Sequence, residues 1–277
     1  MKQRIVSALI ALPLLLAILF SGNQYIIGAS LYILSLIGCF ELYKSFNNTD
    51  YKLDTTYKMF GYIGTTIFYI VKLMNINVDS NVLLLLYSII IIGYSMISYN
   101  NKSIGKLAIT ILSVIYIPYL FSYIFNIYTD NRIISNFLVG YVFIIAFGSD
   151  TIACLVGKYL GKRKVTPVLS PNKSLEGFIG GILGSIILTL GYTYLLVNAN
   201  IIHMHLTISK IIIIIVFAAL GAMISQIGDL LASAIKRTNG IKDYGNLMPG
   251  HGGVLDRFDS ILMVAPFVYY FLIIFQF

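Results

Sequence analysis

Charged residues are scarce in this sequence. Only 11% of its 277 residues are Asp, Glu, Lys or Arg, whereas 58% are hydrophobic. Soluble globular domains contain about 25% charged residues. Apolar runs of about 18–20 residues, the length that spans a bilayer, also recur along the chain. The composition therefore favours an integral membrane protein over a soluble one.

Several common sequence signals are also missing. Cys39 and Cys154 lie inside apolar runs, so neither a disulfide framework nor a Cys/His zinc site is expected. No internal repeat is evident, which argues against a repeat-built transporter. The phosphate-binding pattern GxxxxGK[ST] is absent. We attribute the net charge of +8 first to cytoplasmic loops and then to an anionic ligand, and we expect no nucleic-acid partner.

The apolar runs predict an all-α, polytopic membrane protein with about nine transmembrane helices. A lone strand in lipid would leave its backbone polar groups unpaired, so each run must be helical. The first run resembles a signal peptide, but no A-x-A-like cleavage site follows it, and we expect it to be retained. The predicted spans are residues 4–21, 24–46, 57–74, 81–99, 106–128, 134–160, 174–199, 209–237 and 260–277.

The distribution of basic residues predicts the orientation. With the N-terminus in the cytoplasm, 16 of the 19 Lys and Arg residues fall at inner ends or inner loops. Only Lys72, Arg132 and Lys210 fall outside. This asymmetry follows the positive-inside rule, and it supports both the span count and a cytoplasmic N-terminus.

The chain divides by chemistry into two regions. Residues 1–130 hold about five generic spans, in which Glu41 is an exceptional acid that could pair with Lys44. Residues 131–277 hold about four spans and a polar loop at 236–259, and we expect this region to be catalytic. Its acidic residues lie in or beside the spans, toward the cytoplasmic side: Asp150, Glu176, Asp229, Asp243, Asp256 and Asp259.

Asp229 is the most informative acid, because it lies well inside an apolar span. A carboxylate there costs several kcal/mol (about 2.5–3.5 on insertion scales) unless it is paired or hydrated, so a functional role is the default interpretation. Ser233, Lys236 and Arg237 follow it at i+4, i+7 and i+8, on the same helical face. The alternative is a helix-end salt bridge with cations that extend to the interface, which explains the cations better than the acid.

The loop that follows is rich in glycine. Lys242 and Asp243 follow a predicted turn at Asn239-Gly240, and the string PGHGG ends at Gly253. Glycine-rich backbone can present N–H groups to phosphate oxygens, although an ordinary tight turn is the alternative.

Two acids open the last span. Asp256 and Asp259 stand at i and i+3. They could bind a metal, or they could simply complement the helix dipole.

A second polar cluster precedes the seventh span. Ser174 is placed to cap that helix, and Glu176 then lies in its first turn. Lys173 stands just before this positive helix end, where a phosphate is favoured. Asp150 is a third acid at membrane depth, and it either faces the same cavity or pairs with Lys158 on its own helix.

The residue types of these clusters indicate a metal-assisted reaction of phosphates. Carboxylates with oxygen-only partners suit Mg²⁺, which typically binds one or two carboxylates plus substrate phosphates. Lysine and arginine suit the phosphate groups themselves.

The polar residues together resemble the signature of phosphatidate cytidylyltransferases, also called CDP-diacylglycerol synthases. The resemblance runs without a gap over the 27 residues from Ser233 to Asp259, and the FGSD and SPNKSLEG segments also resemble this family. Leu175 stands where the family often has tryptophan, a difference that we expect to alter packing and not chemistry.

The resemblance implies a reaction in which CTP and phosphatidic acid give CDP-diacylglycerol and pyrophosphate. It implies Mg²⁺ bound by Asp229, Asp256 and Asp259, with a second cation left open. The implied catalytic residues are Asp229, Asp256, Lys236, Arg237, Asp243 and Asp259. The implied substrate-binding residues are Lys173, Ser233, Lys242, His251, Gly252, Gly253 and Arg257.

The two substrates imply where the site lies. A lipid cannot leave the bilayer and CTP is cytosolic, so we expect a multi-pass protein of the cell membrane with its active site on the cytoplasmic face. A homodimer is compatible with the resemblance. The alternatives are a cation-coupled transporter, a related lipid nucleotidyltransferase with another donor, and a CDP-alcohol phosphotransferase, whose acidic motif has no match here.

Overall fold

The computed structural model describes residues 13–130, 134–167, 169–247 and 252–275. Residues 13–19 are helical. The helices that follow are α1 (Gln24–Ser45), α2 (Thr55–Leu73), α3 (Ser80–Ile97), α4 (Ser103–Val114), α5 (Leu120–Asp130), α6 (Ser135–Leu160), α7 (Leu175–Asn198), α8 (Ile208–Thr238) and α9 (Leu255–Phe275). The strands are β1 (Lys164–Thr166) and β2 (Ser170–Ser174).

Seven helices in the described residues are long and apolar enough to cross a membrane. The chain is therefore a polytopic α-helical membrane protein. The seven are α1, α3, α4 with α5 as one run, α6, α7, α8 and α9.

Two of the nine predicted spans are not among these seven. Half of the predicted span 4–21, residues 4–12, lies outside the described residues. The span predicted at 57–74 does form a helix, α2, but Lys58, Lys72 and its Thr and Tyr residues make it less apolar than the others. The count of nine and the cytoplasmic N-terminus stay predictions.

Helices α4 and α5 are joined by a π-helical turn, Ile115–Tyr119, that contains Pro118. Proline has no N–H to donate and its ring crowds the preceding turn, so the regular hydrogen-bond pattern must change there. The chain continues without a loop, which gives one 28-residue run, Ser103–Asp130.

The fold is all-α as predicted, and it also contains a short β-hairpin that the sequence did not indicate. Strands β1 and β2 pair antiparallel, with Lys164 opposite Ser174 and Thr166 opposite Ser170. Strands of three and five residues in a polar segment leave no alternation of apolar residues by which a sequence pattern could identify them. The hairpin returns the chain to the start of α7.

The chain forms two compact units. The first comprises Met1–Phe125 and Thr238–Arg257, and the second comprises Asn126–Arg237 and Phe258–Phe277. The domain boundary predicted at residue 130 stays a prediction. Residues 238–257, which include most of the predicted signature loop, belong with the N-terminal helices.

Within the second unit, glycines bring α7 close to α6. A Cβ atom at Gly177 would lie 2.7 Å from the carbonyl oxygen of Ala153, and one at Gly181 would lie 2.9 Å from that of Ser149. Small residues allow such close approach of helices in membrane proteins. The contact places the stretch of α6 around Asp150 beside the first turns of α7.

Candidate functional site

The second unit contains a polar cavity of about 570 Å³. Its walls come from α6, the β-hairpin, α7 and α8. The charged and amide side chains that line it are Asp150, Lys158, Lys164, Asn172, Lys173, Gln226 and Asp229. Three of the acids and cations singled out from the sequence, Asp150, Lys173 and Asp229, thus face one space.

Lys173 and Asp229 form an ion pair in this cavity. The Nζ of Lys173 lies 2.6 Å from Oδ2 of Asp229, and the two side chains are 27% and 31% exposed. The Nζ atom itself is buried. Asp229 also accepts a hydrogen bond of 3.5 Å from the Ser233 hydroxyl. The charge of Asp229 is thus balanced by a lysine on β2. The alternative suggested by the sequence was a salt bridge to the lysine and arginine at the end of α8.

Asp150 accepts two hydroxyl hydrogen bonds. The Ser260 hydroxyl donates at 2.7 Å and the Ser225 hydroxyl at 3.4 Å. The alternative pairing with Lys158 is not what the structure shows, since the Nζ of Lys158 lies over the Tyr159 ring, 5.7 Å from its centroid. The middle of α6 thereby carries an acid that is held by serines of α8 and α9.

Asp259, also in the second unit, joins Asp150 and Asp229 as the third acid of this cluster, and it is buried. Its Oδ1 accepts the backbone N–H of Ser260 at 2.8 Å. Asp150 and Asp229 both act on it electrostatically, and Lys236 partly offsets their charge. Three carboxylates and two lysines therefore share one electrostatic environment in this unit.

The start of α7 is built as the sequence predicts. The Ser174 hydroxyl accepts the N–H of Gly177 at 3.1 Å and caps the helix. Glu176 lies in the first turn, and its carboxylate accepts the backbone N–H groups of Lys162 (3.0 Å) and Arg163 (3.2 Å). This acid holds the entry to the hairpin, which places Lys173 on the strand that faces Asp229.

In the first unit, Asp256 organises the glycine-rich segment. Its Oδ2 accepts the N–H of Tyr244 at 2.8 Å and that of Gly253 at 2.9 Å. Gly252 has a φ of +87°, a left-handed conformation that glycine adopts without strain. The N–H of Gly253, predicted to face phosphate, is directed to Asp256 in this structure.

Glu41, on α1, contacts this segment, a role that the sequence did not indicate although it marked Glu41 as an unusual acid. It is 3% exposed, and its two carboxylate oxygens accept the N–H groups of Val254 (3.0 Å) and Leu255 (2.8 Å). The suggested pairing with Lys44 is thus replaced by backbone hydrogen bonds. A lone acid inside an apolar span was the available signal.

The remaining predicted residues are peripheral or undescribed. Lys242, Asp243, Arg257 and Arg237 are exposed. Arg237 also reaches the carbonyl oxygen of Leu169 through its Nε, at 3.4 Å. His251 lies outside the described residues.

Comparison with known proteins places the chain in a family. Residues 2–275 match the cytidylyltransferase family. The chain belongs to that family. It is 34% identical over 271 residues to the phosphatidate cytidylyltransferase of Staphylococcus haemolyticus, with 96% of each chain covered. It is 34% identical over 268 residues to the phosphatidate cytidylyltransferase of Staphylococcus aureus, with the same coverage.

The side chains of this cytidylyltransferase fit Mg²⁺ by donor chemistry, but they form no ready-made cage. The second unit offers carboxylate oxygens of Asp150, Asp229 and Asp259 and hydroxyl oxygens of Ser225 and Ser260. No group of three His, Cys, Asp or Glu residues is arranged to hold a metal among the residues described. Mg²⁺ usually keeps waters and takes substrate phosphates, so an oxygen-only, incomplete set suits it.

The Lys173–Asp229 pair should be energetically coupled. Lys173→Met leaves a partly buried carboxylate without its cation, and we expect it to lower the free energy of unfolding by about 1–3 kcal/mol. Lys173→Met/Asp229→Leu should recover most of that loss. The measurement is thermal unfolding of the purified protein in detergent.

The matched control is the exposed pair of Lys102 and Asp50, whose side chains are 53% and 86% exposed. Lys102→Met should cost less than about 1 kcal/mol. If the losses from Lys173→Met and Asp229→Leu simply add in the double variant, the two side chains are not coupled.

Proposed function

We propose that this protein transfers CMP from CTP to phosphatidic acid, which gives CDP-diacylglycerol and pyrophosphate. The observation that carries the proposal is the gap-free polar signature from Ser233 to Asp259, in a chain whose named relatives are matched over 96% of their length. The polar cavity of the second unit and the ordered segment around Asp256 support it.

The transfer is an in-line displacement at phosphorus. An oxygen of the lipid phosphate forms a bond to the α-phosphorus of CTP. The bond from that phosphorus to the oxygen bridging to the β-phosphorus breaks, and pyrophosphate leaves with the electron pair. The nucleophile is already an anion, so the site needs no strong base. It must bring two polyanions together and align them.

The acids of the signature are proposed to hold Mg²⁺, with a second cation left open. Asp229, Asp256 and Asp259 are the proposed ligands. A metal ion held by these carboxylates would neutralise negative charge on the reacting phosphates. Asp243 is proposed to support this set from the loop, and Ser233 to orient Asp229, to which its hydroxyl already donates.

The cations of the signature are proposed to bind phosphate groups. Lys236 and Arg237 end α8, and Lys242 and Arg257 flank the glycine-rich segment. Bidentate arginine and compact lysine charges are the usual partners of phosphate. Two further proposed contacts are His251 and the N–H of Gly252. Gly253 contributes by fixing the turn through Asp256.

Lys173 has a proposed role that explains its present partner. Its ammonium group neutralises Asp229 in the described structure. A phosphate oxygen entering the cavity would compete for the same ammonium group, while a metal ion would compete for the carboxylate. Lys173 would then bind substrate phosphate while a metal ion balances Asp229. Neither the ammonium group nor the carboxylate would be left without an opposite charge among apolar side chains.

The site is proposed to open to the cytoplasmic face of the cell membrane. One substrate is confined to the bilayer and the other is dissolved in water. A polar cavity among apolar helices is where both can be reached. The concentration of predicted inner-side Lys and Arg residues around the signature supports this orientation.

The purified protein in detergent, with CTP, phosphatidic acid and Mg²⁺, should form a CDP-lipid and release pyrophosphate in equal amounts. EDTA should stop the reaction and Mg²⁺ should restore it. Chromatography of the lipid and a pyrophosphate assay measure the two products. A transporter would release no pyrophosphate, and activity that resists EDTA would exclude the metal-assisted route.

The orientation predicts which side of the membrane labels position 251. His251→Cys in a Cys154→Ser background should react with a membrane-impermeant maleimide in inside-out vesicles and not in right-side-out vesicles. Lys210→Cys, on a predicted outer loop, is the matched control and should show the opposite pattern. Labelling of position 251 only in right-side-out vesicles would overturn the proposed topology.

A further inference from the structure

Glu41 is a buried carboxylate on an apolar helix. It is 3% exposed, and α1 around it is a candidate membrane span. An ionised group at such a place is costly unless its oxygens are hydrogen-bonded or paired. Its partners therefore indicate why the chain retains it.

Both oxygens of Glu41 are used at the beginning of α9. Oε1 accepts the N–H of Val254 at 3.0 Å, and Oε2 accepts the N–H of Leu255 at 2.8 Å. The first N–H groups of a helix have no partner within the helix and carry its positive dipole end. A carboxylate from α1 thus caps the helix that carries Asp256.

Two glycines of the same segment close around this carboxylate. A Cβ atom at Gly245 would lie 2.5 Å from Oε1 of Glu41, and one at Gly253 would overlap the carboxylate as well. Neither glycine has a positive φ, so close approach to Glu41 is the reason for the missing side chain. The two glycines stand near the two ends of the glycine-rich segment.

Another residue of α1, Ser45, accepts a hydrogen bond from Asn239, at the start of the glycine-rich segment. The side-chain amide of Asn239 donates to the Ser45 hydroxyl at 2.9 Å, and both residues are buried. Glu41 and Ser45 are four residues apart and share one face of α1. One helical face therefore holds residue 239 and residues 254 and 255.

We propose that Glu41 is a positioning residue for residues 252–257, where the glycine-rich segment leads into α9 and carries Asp256. Its carboxylate fixes the backbone at Gly253, Val254 and Leu255, and so sets where Asp256 stands. This inference rests on the proposed transfer reaction for its effect on turnover. It adds a residue of the N-terminal region, which otherwise supplies generic spans, to the machinery of the reaction.

The position of Glu41 predicts that its substitution lowers turnover without unfolding the protein. Glu41→Gln keeps one acceptor oxygen and the shape of the side chain, but it turns an N–H donor toward the backbone N–H groups. The segment should loosen locally while the helices remain packed. Because small misplacements can cost up to about 100-fold in rate, we expect kcat to fall about tenfold with little change in KM for either substrate.

The experiment compares Glu41→Gln, Glu41→Ala and Gly245→Ala with Ser35→Ala. Ser35 is buried on the same helix, but its hydroxyl contacts Tyr69 on α2 at 3.0 Å. Amide hydrogen exchange over residues 252–257, kcat, KM and the thermal midpoint are measured for each. Exchange should rise and kcat should fall in the first three variants and not in the control.

The outcomes separate the possibilities. Wild-type exchange and kcat in Glu41→Gln would overturn the proposal, as would a loss of kcat that only follows a lower thermal midpoint and faster exchange throughout the chain. If Glu41→Ala fails to fold, Glu41→Gln still decides. If the wild-type protein itself shows no CMP transfer, the proposed reaction is refuted. Faster exchange over residues 252–257 in Glu41→Gln would still support the positioning role of Glu41.

Discussion

The structure depends on compensating carboxylates inside helices that are otherwise apolar. An ionised carboxylate is costly among apolar helices, because water does not solvate it well there. Each acid therefore requires a hydrogen-bond donor or a cation from the protein. Glu41 and Asp256 use backbone N–H groups, Asp150 uses two serine hydroxyls, and Asp229 uses the ammonium group of Lys173. The β-hairpin, the cap at the start of α7 and the close glycine contacts between α6 and α7 bring such partners into place.

The same compensation suits the chemistry of a cytidylyltransferase. In the proposed reaction two polyanions meet at an apolar interface, and a site that already balances negative and positive groups could exchange its internal partners for phosphate oxygens and cations. Buried pairs of this kind contribute little net stability, since desolvation offsets much of their attraction. The proposed reaction gives a reason for their retention that a contribution to stability does not.

The sequence predicted the apolar helices well, because length and hydropathy alone define a span. It also identified Asp229, because an acid inside an apolar span is unusual, and Lys173, because it stands just before the start of a helix. Their pairing could not be predicted, because it depends on a hairpin too short to show a strand pattern. The role of Glu41 was missed because its partners are backbone groups distant in sequence, and backbone N–H groups leave no mark on residue types.

Asp259→Asn tests most directly whether the buried acids serve the transfer and not the fold. Asp150 and Asp229 act on Asp259 electrostatically, so removing one negative charge should leave the thermal midpoint unchanged or raise it. The same variant should lose at least about 100-fold in CMP transfer, as removal of a group that stabilises transition-state charge commonly does. Loss of the fold, or turnover near that of the wild type, would contradict this account.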